Sequence, residues 1–413
     1  MNSSKFIYKC VDCGKEYTTN EVMYLCPSCS KENTTTTPPK GVLKVVYDYH
    51  KMQKLGIEFA DLKKNDFLDL LPITSKDSFP ILKVGKTPLY FIEKMEQNSL
   101  PFDLYLKDDS QNPTFSFKDR ASSLVSAFAK ENRLNTIIAA STGNAGSSLA
   151  GMCASQGQQA IIMVPEKAPL AKLTQIIMYG AKIVPVKGTY DEAFDLSVKA
   201  TEVFGWYNRN TAFNPLTIEG KKTVSFELIE QLKFKVPDRV FVPVGDGVII
   251  SGVYKGFEDL LMLNLIDKIP TIVAVQSSTS DNLVRNIGKK EFEIVPSTTI
   301  ADSISVDIPR NFFMAQQFIQ KYNGETLIVS DEEIMNASIV LSKNTGIFSE
   351  PAATTAFAGL LSYQKNGKIA NKSSNVVMLT GSGLKDLKSV GSLLKMPESI
   401  YPTIENLKNL LSC

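Results

Sequence analysis

After residue 79 the chain alternates short apolar runs with amphipathic segments, and this alternation restricts the possible folds more than any other feature. Such a pattern predicts parallel strands joined by helices that cover the sheet. The predicted strands span residues 136–140, 160–164, 182–186, 239–244, 271–275 and 375–379. The predicted helices span residues 144–156, 170–179, 191–204 and 251–263. We therefore expect an α/β protein built from two series of βα units.

The N-terminal part of the chain has a different character. Residues 34–39 are four threonines and two prolines, which suit neither helix nor strand. The apolar spacing over residues 42–71 favours one or two helices that end before Pro72. We interpret residues 1–35 as a small separate module and residues 36–79 as a linker with a helical segment.

Length and composition limit the class of protein. A chain of 413 residues can form two or three domains. With 43% hydrophobic residues, 21% charged residues and a net charge of +2, it is typical of soluble globular proteins and predicts no nucleic-acid partner. The sequence has neither an apolar leader nor an apolar run of bilayer length, which predicts no membrane partner and a cytoplasmic location.

Two CxxC pairs with twelve residues between them lie near the N-terminus. The four cysteines are Cys10, Cys13, Cys26 and Cys29, whereas Cys153 and Cys413 lie outside the pattern. Four thiolates at this spacing suit one tetrahedral zinc ion in a closed, structural site. A redox dithiol is the alternative, although it needs only one CxxC pair.

The chain contains a single histidine, His50, with no nucleophile motif beside it. An enzyme with this sequence must therefore transfer protons with lysine, tyrosine, a carboxylate or a cofactor. Histidine-dependent catalytic triads are excluded.

Three segments have the pattern of an anion-binding site around a lysine. Lys118 lies in a turn, residues 112–120, and alone it is most simply a solvated charge. Residues 141–146, Ser-Thr-Gly-Asn-Ala-Gly, follow a predicted strand and open a helix, where free N–H groups bind anions. Residues 244–252 repeat this arrangement without a dinucleotide or P-loop motif. Together they suit a phosphorylated aldehyde cofactor and a substrate carboxylate.

The order of these segments, followed by Leu-Thr-Gly-Ser-Gly-Leu-Lys-Asp at residues 379–386, resembles the threonine synthase family over residues 80–390. That family belongs to the tryptophan-synthase-β-like, fold type II pyridoxal-phosphate enzymes. The resemblance implies two parallel-sheet α/β domains with an N-terminal zinc-ribbon-like module, and a homodimer. It implies a large domain at 80–120 and 214–395, a small α/β domain at 121–213 and a C-terminal tail at 396–413.

The resemblance also implies roles for individual residues. Lys118 would carry pyridoxal 5'-phosphate as a Schiff base and then shuttle protons. Asn144 would bind the phenolic oxygen, and Thr380 would face the pyridine nitrogen. The implied cofactor-binding residues are Phe117, Lys118, Asn144, Gly245, Asp246, Gly247, Val248, Ile249 and Thr380. The implied substrate-binding residues are Ser141, Thr142, Gly143, Ala145 and Thr217.

Three positions depart from the family pattern. Thr217 stands where the family has an arginine for the substrate phosphate, a loss that matters unless Lys221 or Arg209 reaches the site. Ser382 replaces a histidine. Asp246 places a carboxylate in the predicted phosphate loop, where it is repulsive unless its side chain points away.

The leading hypothesis is a lyase, a threonine synthase that converts O-phosphohomoserine and water to threonine and phosphate. Thr217 and Ser382 favour an alternative on a small amino acid, namely a β-eliminating ammonia-lyase or β-replacing synthase acting on serine, threonine, diaminopropionate or phosphoserine. A non-catalytic, zinc-binding regulatory protein is the hypothesis from another class. The presence of Lys118, Asn144 and Thr380 argues against it.

Overall fold

The computed structural model describes residues 5–391, 396 and 398–411. Cys413 and small parts of the predicted N-terminal module, large domain and C-terminal tail lie outside the described residues. Among the described helices, none has the length and apolar character needed to cross a membrane.

Strands and helices alternate along most of the chain. The strands are β1 (Phe6–Cys10), β2 (Glu16–Tyr17), β3 (Leu43–Tyr47), β4 (Leu89–Met95), β5 (Asn98–Asp108), β6 (Thr136–Ala140), β7 (Gln159–Pro165), β8 (Lys182–Val186), β9 (Tyr207–Asn208), β10 (Arg239–Pro243), β11 (Thr271–Ser277), β12 (Glu325–Val329) and β13 (Ser374–Leu379). The helices are α1 (Tyr49–Lys54), α2 (Phe59–Lys64), α3 (Lys118–Glu131), α4 (Asn144–Gln156), α5 (Leu170–Met178), α6 (Tyr190–Phe204), α7 (Leu216–Gln231), α8 (Val248–Met262), α9 (Asn282–Asn286), α10 (Phe312–Lys321), α11 (Asp331–Thr345), α12 (Pro351–Lys365), α13 (Leu387–Val390) and α14 (Ile404–Leu411).

The largest sheet has the strand order β12-β11-β10-β13-β5-β4. Its strands are parallel except for β4, which runs antiparallel to β5. Helices cover both faces, so neighbouring residues of one strand enter different cores. Val240 and Val242 pack into one core, whereas Phe241 packs into the other. A strand that is buried on both faces reads as the continuous apolar run seen in the sequence.

A second sheet, β8-β7-β6-β9, is parallel throughout. Ile138 and Ala140 of β6 face a core of their own, and Ile137 and Ala139 face the main core. These two sheets confirm the predicted α/β class. The boundaries of the large and small domains stay a prediction.

The third sheet, β2-β1-β3, is antiparallel and corrects one expectation. The helical segment predicted from residue 42 begins with a strand, because Leu43, Val45 and Tyr47 are buried and alternate with half-buried residues. A period of two is the pattern of a strand. The short helices α1 and α2 follow it, and the threonine-proline stretch lies in the connection between β2 and β3.

A buried group of charges joins this third sheet to α7 and α8, and we call it the α7–α8 charge cluster. Lys222 Nζ lies 2.6 Å from a carboxylate oxygen of both Glu219 and Asp259. The hydroxyl groups of Tyr47 and Tyr49 donate to the same two carboxylates over 2.7 and 2.6 Å. A buried carboxylate that loses a hydrogen-bond partner is strongly destabilised. These tyrosine bonds therefore fix the position of the N-terminal sheet relative to α7 and α8.

Glycines bring α3, α7 and α8 unusually close to each other. A Cβ on Gly220 of α7 would collide with the carbonyl oxygen of Arg120 and lie 2.8 Å from the Cα of Ala121, both on α3. A Cβ on Gly256 of α8 would collide in the same way with the carbonyl oxygen of Lys222. The backbones of α3 and α7, and those of α7 and α8, are therefore in direct contact at these two glycines.

We expect Gly220→Ala to destabilise the fold by about 1–3 kcal/mol, because the added methyl group meets backbone that cannot rotate away. Gly391→Ala, at a glycine with open space around it, is the control and should change stability by less than about 0.5 kcal/mol. Urea unfolding of both variants measures the difference. Equal stability of the two variants would contradict close packing of α3 and α7.

Candidate active site

Lys118 is the first residue of α3, and the turn before it is tied to the end of β13. The N–H of Phe117 donates to the carbonyl oxygen of Thr380 over 2.9 Å, and Ser116 pairs with Gly381. Thr380 is almost fully buried. The structure thus brings the predicted lysine turn and the predicted ring-nitrogen residue together at the carboxyl edge of the large sheet.

The glycine loop between β10 and α8 forms a tight backbone cradle. Gly247 is the N-cap of α8 with a φ of +82°, and no side chain caps the helix. A Cβ on Gly245 would lie 2.9 Å from the Cα of Ile304, so this turn admits no side chain there. The helix begins at Val248, three residues before the predicted start. The first N–H groups of any α-helix have no intrahelical partner, and here no side chain caps them. Such a helix start binds phosphate well.

Asp246 lies within this loop, and its surroundings explain why a carboxylate is tolerated there. Its Oδ1 accepts the Arg310 N–H over 3.4 Å, and its carbonyl oxygen accepts the Asn311 N–H over 3.0 Å. Burial raises the pKa of Asp246, while the positive charges of Arg310, Lys118 and Lys221 oppose that rise. The carboxylate therefore acts as a counter-charge to neighbouring cations.

The Ser-Thr-Gly-Asn loop connects β6 to α4, as predicted. Ser141, Thr142, Gly143 and Ala145 are half-buried, so their polar groups border the cleft. The N–H of Ser141 donates to β7, and the N–H of Gly143 donates to the hydroxyl of Ser141 over 3.3 Å. Gly143 caps α4 without a side-chain bond, which leaves a second uncapped helix start beside the lysine turn.

Glu350 is a site residue that the sequence patterns do not reveal. Both oxygens of its buried carboxylate accept from Asn144 Nδ2, at 2.9 and 3.1 Å. A Cβ on Gly381 would collide with this carboxylate, so a glycine beside Thr380 makes room for it. Burial raises the pKa of Glu350, and the charge of Lys118 opposes this shift. A glutamate before a proline at a helix start is an ordinary pattern, so the sequence carries no signal of its position.

Three cations, Lys118, Arg209 and Lys221, face one another in the cleft, and we call them the cation cluster. Arg209 is only 1% exposed. Its Nε donates to the hydroxyl of Ser122 over 3.1 Å, and Nη1 donates to Thr211 over 3.2 Å, but Nη2 has no hydrogen-bond partner. Because Ser122 lies one helical turn after Lys118, the guanidinium is beside the lysine.

Lys221 is equally buried and lies one turn after Thr217 on α7. Its Nζ donates to the carbonyl oxygen of Thr217 over 3.2 Å. The hydroxyl of Thr217 donates to the carbonyl oxygen of Asn214 over 2.8 Å, so its proton is committed to the backbone. Thr217 therefore offers no free cation or donor in place of the arginine, and its role in substrate binding stays a prediction.

The charges of the cation cluster shift each other. Burial lowers the pKa of Lys118, against the opposing effects of Glu350 and Asp246. Burial lowers the pKa of Arg209 to about 10. Burial, with Arg209 and Lys118 beside it, holds the pKa of Lys221 well below its usual range. Among the described residues, neither Arg209 nor Lys221 forms an ion pair with a carboxylate. Buried cations without such a partner are costly, so the cleft favours a bound anion.

The four cysteines predicted to bind a metal ion lie together in the N-terminal module. Their Sγ atoms all lie within 4.8 Å of one another. Cys10 and Cys29 are 3.8 Å apart, as are Cys13 and Cys26. A tetrahedron of sulfurs about 2.3 Å from a central zinc ion has edges of about 3.8 Å. The donor set and its spacing therefore fit a metal ion of this size.

Known proteins resemble this chain along most of its length. Residues 81–381 match the family described as pyridoxal-phosphate dependent enzyme. A threonine synthase of Methanocaldococcus jannaschii is 34% identical over 414 residues, covering 98% of this chain and 99% of the relative. A threonine synthase of Methanosarcina acetivorans is 33% identical, with 98% of each chain covered. One from Halalkalibacterium halodurans is 34% identical over 82% of this chain and 94% of its own.

Solved structures support the fold. Threonine deaminase isoform 2 from Solanum lycopersicum superimposes with a TM-score of 0.65 at 24% identity, covering 77% of this chain and 88% of that one. Serine racemase from Dictyostelium discoideum gives 0.63 at 24% identity, covering 79% and 98%. At this level of identity the likeness concerns the fold alone.

Glu350→Gln should lower the pKa of Lys118 further, because the carboxylate that now stabilises the charged amine is removed. The pH at which half of the amine is neutral then moves down. The measurement is the pH dependence of Lys118 modification by an amine-directed reagent in cofactor-free protein, followed by peptide mapping. Glu332→Gln, the same change at the exposed start of α11, should leave this pH dependence unaltered. An upward shift in the Glu350 variant would contradict the arrangement.

Proposed function

This chain belongs to the threonine synthase family of pyridoxal-phosphate dependent enzymes, and we propose that it converts O-phosphohomoserine and water to threonine and phosphate. It is a pyridoxal-phosphate dependent lyase. One observation in the cleft favours a phosphorylated substrate over an unphosphorylated one. The cation cluster supplies two buried basic side chains, Arg209 and Lys221, beyond the lysine that the cofactor requires, and a bound phosphate would stabilise their charged forms.

The cofactor-binding residues that we propose are those of the sequence prediction, and the arrangement of the cleft supports them. The cradle from Gly245 to Ile249 would hold the cofactor phosphate through N–H groups. Lys118 would attach to the cofactor beside Phe117, Asn144 would bind its phenolic oxygen, and Thr380 would face its ring nitrogen. When bound, pyridoxal phosphate supplies a ring that withdraws electrons from the carbon next to the substrate amine.

Lys118 is also the base that we assign to the reaction. His50, the single histidine of the chain, lies exposed on α1. Burial favours the neutral form of the Lys118 amine, which can then accept a proton. Glu350 and Asp246 stabilise the charged form once the proton has been taken up. The amine can therefore both accept a proton and return it at another carbon.

The substrate would be held at both of its charged ends. Its carboxylate suits the half-buried loop formed by Ser141, Thr142, Gly143 and Ala145 at the uncapped start of α4. Its phosphate suits Arg209 and Lys221, since the free Nη2 of Arg209 is a donor without a protein partner. Arg209 and Lys221 would together bind the substrate phosphate in place of the family arginine, whose position is Thr217 in this chain.

Zinc is the metal that we propose for the cysteine cluster. The cluster contributes four sulfurs at tetrahedral spacing, and a site closed by protein ligands is structural. The homodimer stays a prediction of the resemblance, and the cytoplasmic location stays a prediction from the sequence pattern.

The activity test supplies O-phosphohomoserine to the purified, cofactor-loaded protein and measures threonine and phosphate. We expect equal amounts of the two products, and Lys118→Ala should lose about a thousandfold or more of the rate together with the visible absorbance of the bound cofactor. Lys130→Ala, at the exposed end of the same helix, is the control and should retain both. Inertness to this substrate, with a 2-oxo acid formed from serine, threonine or diaminopropionate, would replace the proposal with an ammonia-lyase.

The zinc test compares Cys26→Ser with Cys153→Ser. Wild-type protein should contain an equimolar amount of zinc by plasma mass spectrometry. Cys26→Ser should lose most of it, because three thiolates hold the ion far less well than four. Cys153 lies buried in α4, apart from the cluster, and its variant should keep the metal. Metal-free wild-type protein with a disulfide between cluster cysteines would support the redox alternative instead.

A further inference from the structure

We propose that Tyr24, in the N-terminal cysteine module, is a positioning residue for Arg209 and thereby sets the affinity of the cleft for phosphate. The inference rests on the proposed function, because it concerns the residue that we assign to the substrate phosphate. It also assigns the N-terminal module a part in substrate recognition, which the cysteine ligands by themselves do not explain.

Arg209 follows directly after β9, the edge strand of the small sheet. Its own N–H points inward and donates to the carbonyl oxygen of Ile138 over 2.8 Å. The N–H of the preceding residue, Asn208, points out of the sheet, where an edge strand normally has no partner. It donates instead to the hydroxyl oxygen of Tyr24 over 2.9 Å. The module therefore covers the edge of β9, the strand that leads to Arg209, and both residues of this strand are buried.

The ring of Tyr24 holds the other end of the same segment. It stacks on Phe213 with a centroid distance of 4.5 Å and an interplanar angle of 17°. It also contacts the ring of Tyr207 at 6.1 Å. One side chain thus touches residues on both sides of Arg209, so the intervening loop is clamped at its two ends.

The contacts of Tyr24 with this segment are important because few other interactions fix the position of the Arg209 guanidinium. Arg209 is bonded to the hydroxyl groups of Ser122 and Thr211, and no ion pair with a carboxylate is found for it among the residues that the structure describes. Hydroxyl groups are weaker anchors for a guanidinium than carboxylates. The position of Nη2 is therefore set mainly by the backbone from which the side chain extends.

Tyr24 is itself rigidly held by the cysteine module. Leu25 pairs with Val42, just before β3 begins. The N–H of Cys26 donates to the carbonyl oxygen of Gly41 over 2.7 Å. Tyr24 therefore lies two residues from a cluster cysteine, on a backbone fixed by both the third sheet and the cysteine cluster.

The test is Tyr24→Phe, which removes the hydroxyl but keeps the ring against Phe213. We expect the KM for O-phosphohomoserine and the dissociation constant of inorganic phosphate from the cofactor-loaded enzyme each to rise about three- to tenfold, with kcat changed by less than about twofold. The control is Tyr49→Phe. Its hydroxyl also joins the N-terminal part to the body, but it donates to Asp259 in the α7–α8 charge cluster. This control should lower the melting temperature yet leave both affinities unchanged.

A double-mutant cycle then tests whether Tyr24 acts through Arg209. Arg209→Met should weaken phosphate binding strongly, and adding Tyr24→Phe to it should cause no further loss. Additive losses in the double variant would overturn the inference. Unchanged affinities in Tyr24→Phe, together with weak phosphate binding by Arg209→Met, would overturn it as well. Neither result would contradict the proposed phosphate site. Normal phosphate binding by Arg209→Met would overturn that site and the inference together.

Discussion

Buried positive charge is the constraint on which the active cleft depends. Lys118, Arg209 and Lys221 come from three separate parts of the chain, and each is held in low-dielectric surroundings. Bringing such groups together without enough carboxylates is unfavourable unless an anion completes the site. The cofactor phosphate and the substrate phosphate would supply that charge, which links the stability of the cleft to the chemistry it performs.

The scaffold makes this concentration of charge possible through close backbone contacts. Glycines let α3, α7 and α8 approach until their backbones touch. Lys118 then lies at the start of α3 and Lys221 in α7, next to the loop that precedes α8. In the α7–α8 charge cluster, by contrast, the ions are paired with one another and with tyrosine hydroxyl groups. The α7–α8 charge cluster is therefore neutralised internally, whereas the cation cluster is open to a ligand.

Sequence patterns predict the parts of the molecule whose signal is local. The helix at 144–156 and the strands at 136–140 and 182–186 match α4, β6 and β8, because apolar runs and glycine loops mark their ends. Other features depend on distant partners. Tyr24 and Asn208 are 184 residues apart, and Asn144 and Glu350 are 206 apart, so no local pattern links them. The helical prediction over β3 is wrong because the alternation there is short and the pairing partner, β1, lies in the N-terminal module.

In the proposed site, Arg209 completes its hydrogen bonding with the substrate phosphate. The most direct measurement is a crystal structure of the cofactor-loaded enzyme with a phosphonate analogue of O-phosphohomoserine. We expect a phosphonate oxygen within hydrogen-bonding distance of Arg209 Nη2, and Lys221 in contact with the same phosphonate group. A phosphonate bound elsewhere in the cleft, with Arg209 still bonded only to Ser122 and Thr211, would contradict it.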